Sequence, residues 1–220
     1  MITTSEIKIS CLVAQDQAIE ALRCVHAEFE LDKEPADLSE TTVQTAGVVD
    51  AVDVVSQLRG VDMEELLIDG IDLDDSQGRI TVHGLQNQPG VAAEIFAEVG
   101  QSNIVVDMIV QSHLESGAGA ISFTVPKSNV TAAIDKLKSV SSAAIKEITS
   151  SPQVAKLSVS GIGLRSHTGV AIRMFKALSA ASINAKMIST SEVRVNVVVD
   201  GDQGPAALKC LQDAFADVMR

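Results

Sequence analysis

The sequence predicts an α+β fold with two complete β-α-β-β-α units and an N-terminal half-unit. Two internal repeats support this prediction. Residues 80–109 and 157–188 share glycine, phenylalanine and methionine positions, and residues 1–30 align without a gap to residues 187–216. Each repeated stretch switches between strand-like and helix-like apolar spacing, which indicates that each copy is one folded unit.

The composition is acidic and predicts an aliphatic core. The chain has 220 residues, a net charge of −12, and aromatic residues that are all Phe. The negative charge argues against nucleic acid or an anionic membrane as a partner. No apolar run reaches the roughly 20 residues of a membrane helix, and the first residues do not resemble a signal peptide. We therefore expect a cytoplasmic protein whose three cysteines are free and buried (Cys11, Cys24 and Cys210).

Each complete unit begins with an alternating strand, ITVHG or LSVSG. A polar loop follows, with Gly90 in the first copy and Gly169 in the second, and leads into a helix with apolar residues at helical spacing. An extended segment, another strand and a second helix complete both copies. Residues 145–151 (IKEITSS) are predicted to close the sheet of the first unit.

We expect the closing strand of the second unit to come from upstream. Residues 64–75 (EELLIDGIDLDD) alternate at Leu66, Ile68 and Ile71, and we predict that they join this sheet. The predicted division is a half-unit at 1–30, a linker at 31–62 with at most a short helix, a strand contributed to the last unit at 63–76, and complete units at 77–152 and 153–220.

Four phrases carry a resemblance to a known family. They are QPGVAAEIF (88–96), NIVVDMIVQS (103–112), GIGLRSHTGVA (161–171) and MISTSEVRVNVVVD (187–200). Together they resemble the paired ACT domains at the C-terminal end of aspartate kinases, over residues 64–216 and again over 1–30. The resemblance implies a ferredoxin-like fold and a regulatory region that binds lysine or threonine and inhibits the kinase.

The first 30 residues resemble the second half of an ACT domain, a strand and a helix without the Gly loop and first helix. A sheet that begins in this way has an open edge. We expect the chain to be a fragment of a longer protein with tandem ACT pairs. The alternative is an internal translation start that produces a small regulatory subunit.

The resemblance implies an effector site in the first complete unit. A loop that leads into a helix N-terminus offers unbonded backbone N–H groups to a carboxylate. Asp107 is expected to pair with a ligand ammonium, and Gln111 to bond a ligand side chain. The residues implied are Asn87, Pro89, Gly90, Val91, Ala92, Ile104, Asp107 and Gln111.

The corresponding site of the second unit differs in charge, because Lys186 stands where Asp107 stands. A lysine there would repel an ammonium, so this site is expected to bind weakly, to bind something else or to serve only an interface. Its residues are Ser166, His167, Thr168, Gly169, Val170, Ala171, Asn184 and Ala185. In the family, the next stretch couples effector to kinase, here Ser189, Thr190, Ser191 and Glu192.

Without the resemblance, each of these residues has an ordinary structural explanation. Asp107 is then a solvated or salt-bridged carboxylate, His167 a hydrogen-bonding loop residue, and Gly90 and Gly169 turn residues. Only their joint arrangement points to a ligand.

The chain carries no phosphate-binding glycine loop and no nucleophile motif. We expect it to be inactive alone, to need no cofactor, and to leave ATP and magnesium to a separate kinase domain. The expected partners are an amino-acid effector, the aspartate kinase catalytic domain and further copies of the chain. Two alternatives stay open: a ligand-free ACT assembly module, and a stand-alone amino-acid sensor.

Overall fold

The computed structural model describes residues 2–5, 8–33, 67–86, 88–113, 118–140, 145–162, 164 and 169–219. Most of the linker predicted at 31–62 therefore lies outside the described residues. The strands are β1 (Ile2–Ser5), β2 (Lys8–Cys11), β3 (Leu67–Asp74), β4 (Gln77–Gln86), β5 (Ile109–His113), β6 (Ala118–Pro126), β7 (Glu147–Ser151), β8 (Val154–Ile162), β9 (Met187–Thr190) and β10 (Arg194–Asp200). The helices are α1 (Ala18–Glu28), α2 (Val91–Gly100), α3 (Val130–Leu137), α4 (Gly169–Ala180) and α5 (Gly204–Phe215).

The chain divides into two compact units. Ile2–Ser10 and Asp62–Arg220 form the larger unit, and Cys11–Val61 form most of the smaller one, of which residues 11–33 are described. Within the larger unit the strands make two sheets, in the orders β2-β1-β5-β6-β4-β7 and β3-β8-β10-β9.

The first sheet is built around β4, which pairs antiparallel with both β6 and β7. Alternation along these strands turns Ile80, Val82 and Phe123 to one face, where α2 and α3 cover them. The closing strand predicted at 145–151 is confirmed as β7.

The second sheet contains the strand that the alternation at 64–75 predicts. β3 pairs antiparallel with β8, with Ile71 opposite Val159. Ile68 and Ile71 are buried in the core that α4 and α5 cover, together with Met174 and Phe215. The prediction that this upstream segment completes the last sheet is therefore confirmed.

The two sheets contact each other through a small apolar cluster. Met108 beside β5 packs with Val154, Met187 and Val198 of the second sheet. This cluster fixes the start of β5 against β8 and β9, which is the region that the sequence assigns to effector binding and coupling.

The N-terminal half-unit repeats the end of the chain element by element. β1, β2 and α1 correspond at an offset of 186 residues to β9, β10 and α5, so the half-unit has two strands rather than the one that we predicted. β1 pairs antiparallel with β5, with Thr3 opposite Val110. These strands extend the first sheet.

The helix α1 exposes the side that its counterpart buries. Phe29 is 64% exposed and Val25 48%, whereas their counterparts Phe215 and Leu211 are fully buried. The prediction of three buried thiols is wrong. Cys11 and Cys24 are exposed and belong to this half-unit, where no described residue from 8 to 33 is buried, and Cys210 is half-buried.

Candidate functional site

The first glycine loop turns the chain from β4 into α2. Gly90 has φ of 94°, a left-handed conformation that residues with a Cβ rarely adopt. A Cβ built there would meet no atom within 4 Å, so the backbone angle alone requires glycine. The helix begins at Val91, and its first N–H groups have no partner within the helix. The loop can therefore present N–H donors to an anion.

Four of the predicted residues lie on the helix-covered side of the first sheet. Ile104 is buried in the core, and Val91 and Ala92 pack against the same core. Gln111 is half-buried and lies two residues after Ile109 on β5, so it shares the face of Ile109. Pro89 and Gly90 are exposed, and Asn87 lies outside the described residues.

Asp107 already has a cationic partner in the chain. The ammonium of Lys156 on β8 donates a hydrogen bond to Oδ2 of Asp107 at 2.6 Å. The side chains are 14% exposed for Lys156 and 30% for Asp107, so water screens this ion pair only partly. The structure thus shows the salt-bridged carboxylate that we gave as the ordinary explanation of Asp107.

The second glycine loop lies only partly within the described residues, since Ser166, His167 and Thr168 fall outside them. Gly169 begins α4 and is exposed, Val170 is buried in the core, and Ala171 is half-buried. Asn184 is exposed, and Ala185 packs against the core of the second sheet.

The charges of the two units are reversed at equivalent positions. Lys186 of the second unit corresponds to Asp107 of the first. Lys186 pairs with Asp200 at 3.1 Å, whereas Asp107 pairs with Lys156. The second unit thus offers a paired ammonium rather than a paired carboxylate, and the two sites are chemically different.

A polar cleft of about 250 Å³ lies between the two copies of the repeated phrase. Lys8 of one copy and Glu192 of the other form an ion pair at 3.7 Å. Sequence reasoning assigned Thr190, Ser191 and Glu192 to coupling but missed the residues from the first copy. The lining consists of Thr3, Thr4, Lys8, Ser10, Thr190, Ser191 and Glu192. The repeat of TTSEIKIS as STSEVRVN is the signal that could have found them.

Thr4 joins three strands beside this cleft. Its Oγ1 accepts a hydrogen bond from the backbone N–H of Ile109 at 2.9 Å, which ties β1 to β5. Its carbonyl oxygen accepts a hydrogen bond from the buried hydroxyl of Ser189 on β9 at 2.8 Å. Predicted effector and coupling segments therefore meet at one residue of the half-unit.

The described residues include no group of three or more His, Cys, Asp or Glu side chains that could hold a metal ion. In this same part of the chain, no helix has the length and apolar character to cross a membrane.

The sequence profile of the ACT domain matches residues 1–29, 80–140 and 157–215. The chain belongs to the ACT-domain family. The three matched stretches are the half-unit and the two complete units, so the resemblance and the ferredoxin-like fold expected from four phrases are confirmed.

Among curated proteins, these ACT units are similar to aspartokinases. The chain is 38% identical over 154 residues to the aspartokinase of Pseudomonas aeruginosa, which covers 70% of this chain and 37% of that protein. It is 37% identical over 157 residues to the aspartokinase of Helicobacter pylori, covering 71% and 38%. The chain thus spans less than two fifths of the length of these relatives.

Two similar solved structures are informative in different ways. One is matched over nearly its whole length, and the other matches nearly the whole of this chain. The regulatory subunit of aspartate kinase from Thermus thermophilus matches at 34% identity and a TM-score of 0.63, over 67% of this chain and 98% of that one. The aspartate kinase from Synechocystis matches at 30% identity and a TM-score of 0.75, over 98% of this chain and 34% of that one. Because the second match covers 98% of this chain, it includes the half-unit.

Proposed function

We propose that this chain is the amino-acid-binding regulatory region of an aspartate kinase and mediates feedback inhibition by lysine, threonine or both. The observation that carries the proposal is the match to nearly the whole of a separate regulatory subunit, at 34% identity. In this proposal the chain works in the cytoplasm, with a kinase catalytic domain that binds ATP and magnesium. Copies of the chain associate through their ACT units.

The loop at Gly90 supports binding of an amino-acid carboxylate. Unbonded N–H groups in the first turn of α2 and the positive end of the helix dipole favour an anion there. Val91 in the first turn of α2 packs against the core that contains Ile104, and these apolar residues would contact a ligand side chain. Gln111 offers an amide at the sheet end of the same face, so the region supplies both polar and apolar contacts.

The polar cleft supports a coupling role for Ser189, Thr190, Ser191 and Glu192. Through Thr4, a displacement of β5 reaches β1 and β9 by hydrogen bonds rather than through solvent. An effector shifts the equilibrium between active and inhibited arrangements only by its difference in affinity for the two. Contacts that change with the position of β5 are a source of that difference.

A second candidate function is an assembly module without a ligand. The exposed face of α1 favours it, because Leu22, Val25 and Phe29 present apolar side chains to solvent. In this case the chain would associate in the absence of amino acids, and light scattering would detect the association without any effector.

The test is a thermal-shift screen of the chain against the twenty amino acids. A ligand at 100 times its dissociation constant stabilises the folded state by about 2.7 kcal/mol. We expect a shift with lysine or threonine and none with their D-enantiomers. A folded chain with no shift for any amino acid, together with association in light scattering, would support the assembly module instead.

A matched pair of variants locates the site. Gln111→Ala should reduce the shift, because Gln111 lies on the face of the proposed site. Gln101→Ala changes an exposed glutamine at the opposite end of α2 and should leave the shift unchanged. Equal ligand-induced thermal shifts in both variants would show that Gln111 does not belong to the site.

A further inference from the structure

The ion pair between Asp107 and Lys156 links the two ACT units. Asp107 lies just before β5 of the first sheet, and Lys156 lies on β8 of the second, 49 residues further along the chain. The Lys156 ammonium sits 2.6 Å from the carboxylate that the sequence assigned to a ligand ammonium. Any amino acid that binds Asp107 through its own ammonium therefore competes with Lys156 for this carboxylate.

Lys156 has a second carboxylate beside it. Asp74 on β3 is its partner in the register between β3 and β8, and directly opposed residues on neighbouring strands point to the same side of the sheet. Burial tends to raise the pKa of Asp74, but hydrogen bonds from Ser76 and the positive charge of Lys156 bring that pKa below its usual value. The charge of Lys156 thus acts on Asp74 while its hydrogen bond goes to Asp107.

We propose that Lys156 is an internal competitor for the effector ammonium, bound to Asp107 when the site is empty and transferred to Asp74 when an amino acid binds. The proposal rests on the proposed function of the chain as an amino-acid-binding region. It assigns Lys156 and Asp74 as residues that set affinity without contacting the ligand.

The exchange of partners makes the displacement possible. A partly buried ammonium that loses its only carboxylate keeps the cost of its desolvation without a compensating partner. With Asp74 on the neighbouring strand, Lys156 keeps an anionic partner and loses only its hydrogen bond to Asp107. The binding event in the first unit thereby changes an ion pair within the second unit.

The described residues of the second unit show no equivalent arrangement. Its Lys186 pairs with Asp200, so an ammonium ligand would meet a lysine first. If Lys156 competes with the effector in this way, each chain has one site, rather than two, at which a lysine competes with the ligand ammonium.

The experiment measures lysine and threonine binding by isothermal titration calorimetry to the full chain and its variants. Lys156→Met keeps the length and apolar stem of the side chain, removes the competitor, and should tighten binding by about fivefold or more. Asp74→Asn removes the alternative partner and should weaken binding by a similar factor. Asp107→Asn should abolish binding, because it removes the carboxylate that both ammonium groups use.

Two controls separate this mechanism from a loss of structure. Asparagine at position 74 keeps the side-chain oxygen that accepts hydrogen bonds from Ser76, so the turn is preserved. Asp72→Asn changes an exposed carboxylate on the same strand, opposite Ser158, and should leave the affinity unchanged. In the Lys156→Met background, Asp74→Asn should have no effect, since no lysine needs the alternative partner.

The outcomes distinguish this proposal from the proposed function. If the unaltered chain binds an amino acid but Lys156→Met binds it equally or more weakly, the proposal that Lys156 competes with the effector is overturned. The proposed regulatory function then stands. If neither the unaltered chain nor Lys156→Met binds any amino acid, both proposals are overturned. Binding by Lys156→Met alone would support both.

Discussion

The hydroxyl of Ser189 donates a hydrogen bond of 2.8 Å to the carbonyl oxygen of Thr4, and the two residues belong to the two copies of one repeated phrase. Ser189 is 5% exposed, so the bond is made away from water. A phrase that occurs twice in the sequence thus folds into two strand segments that bond each other beside the polar cleft.

Removing this hydroxyl should destabilise the larger unit. Ser189→Ala leaves the Thr4 carbonyl without its donor in a partly buried place, which costs about 1–3 kcal/mol. The measurement is the midpoint of urea unfolding by circular dichroism. Ser128→Ala removes an exposed hydroxyl near α3 and should not move that midpoint. Equal midpoints for both variants would show that the bond to Thr4 contributes nothing to stability.

Two glycines at opposite ends of α2 should respond in opposite directions to alanine. Gly90→Ala forces a residue with a Cβ into φ of 94° and should cost about 1–2 kcal/mol. Gly100→Ala lies in the helix with open space around it and should stabilise by about 0.5–1 kcal/mol. Thermal melts of the two variants compare them directly. Stabilisation by Gly90→Ala would contradict the left-handed turn before the helix.

Equivalent phenylalanines of the repeat should differ sharply in their effect on stability. Phe215→Ala empties a fully buried position at the end of α5 and should cost about 3–5 kcal/mol. Phe29→Ala changes the matching position just after α1, which is exposed, and should change stability by less than about 0.5 kcal/mol. A large, concentration-dependent cost for Phe29→Ala would instead show that another copy covers this face in solution.

The stability of the chain should fall in acid partly through Asp74. Its pKa in the folded state lies below the usual 3.8, because hydrogen bonds from Ser76 and the charge of Lys156 outweigh the effect of burial. A carboxyl whose pKa is lower when folded stabilises the protein above the unfolded pKa and loses that contribution as pH falls through the folded value. Urea midpoints measured from pH 5 downward should decline most steeply below about 3.8.

Asp74→Asn provides the comparison for this decline, because asparagine does not titrate. Its midpoints should fall less between pH 5 and pH 3 than those of the unaltered chain. Identical pH profiles for Asp74→Asn and the unaltered chain would remove Asp74 as a source of acid sensitivity.

The fold was predictable from sequence where the evidence is periodic or repeated. Alternation identified β3 and its place in the second sheet, although the strand lies far upstream of the unit that it completes. The repeat identified the half-unit and the glycine loop, since a loop into a helix has the same local requirements in both copies. The exposure of Cys24 and Phe29 was not predictable. The matching residues at the end of the chain belong to α5, which packs on a sheet, so the repeat predicts burial.

The sequence by itself determined the family, the order of elements in the two complete units and the glycine loop before α2, because these depend on neighbouring residues and on spacing along the chain. Only the tertiary structure decided that Asp107 is held by Lys156, that Thr4 bonds both Ile109 and Ser189, and that Lys8 faces Glu192. Each of these contacts joins strands that meet only when the sheets pack together. Ion pairs and hydrogen bonds form only between atoms a few ångströms apart. Periodicity along the chain does not show which distant residues come that close.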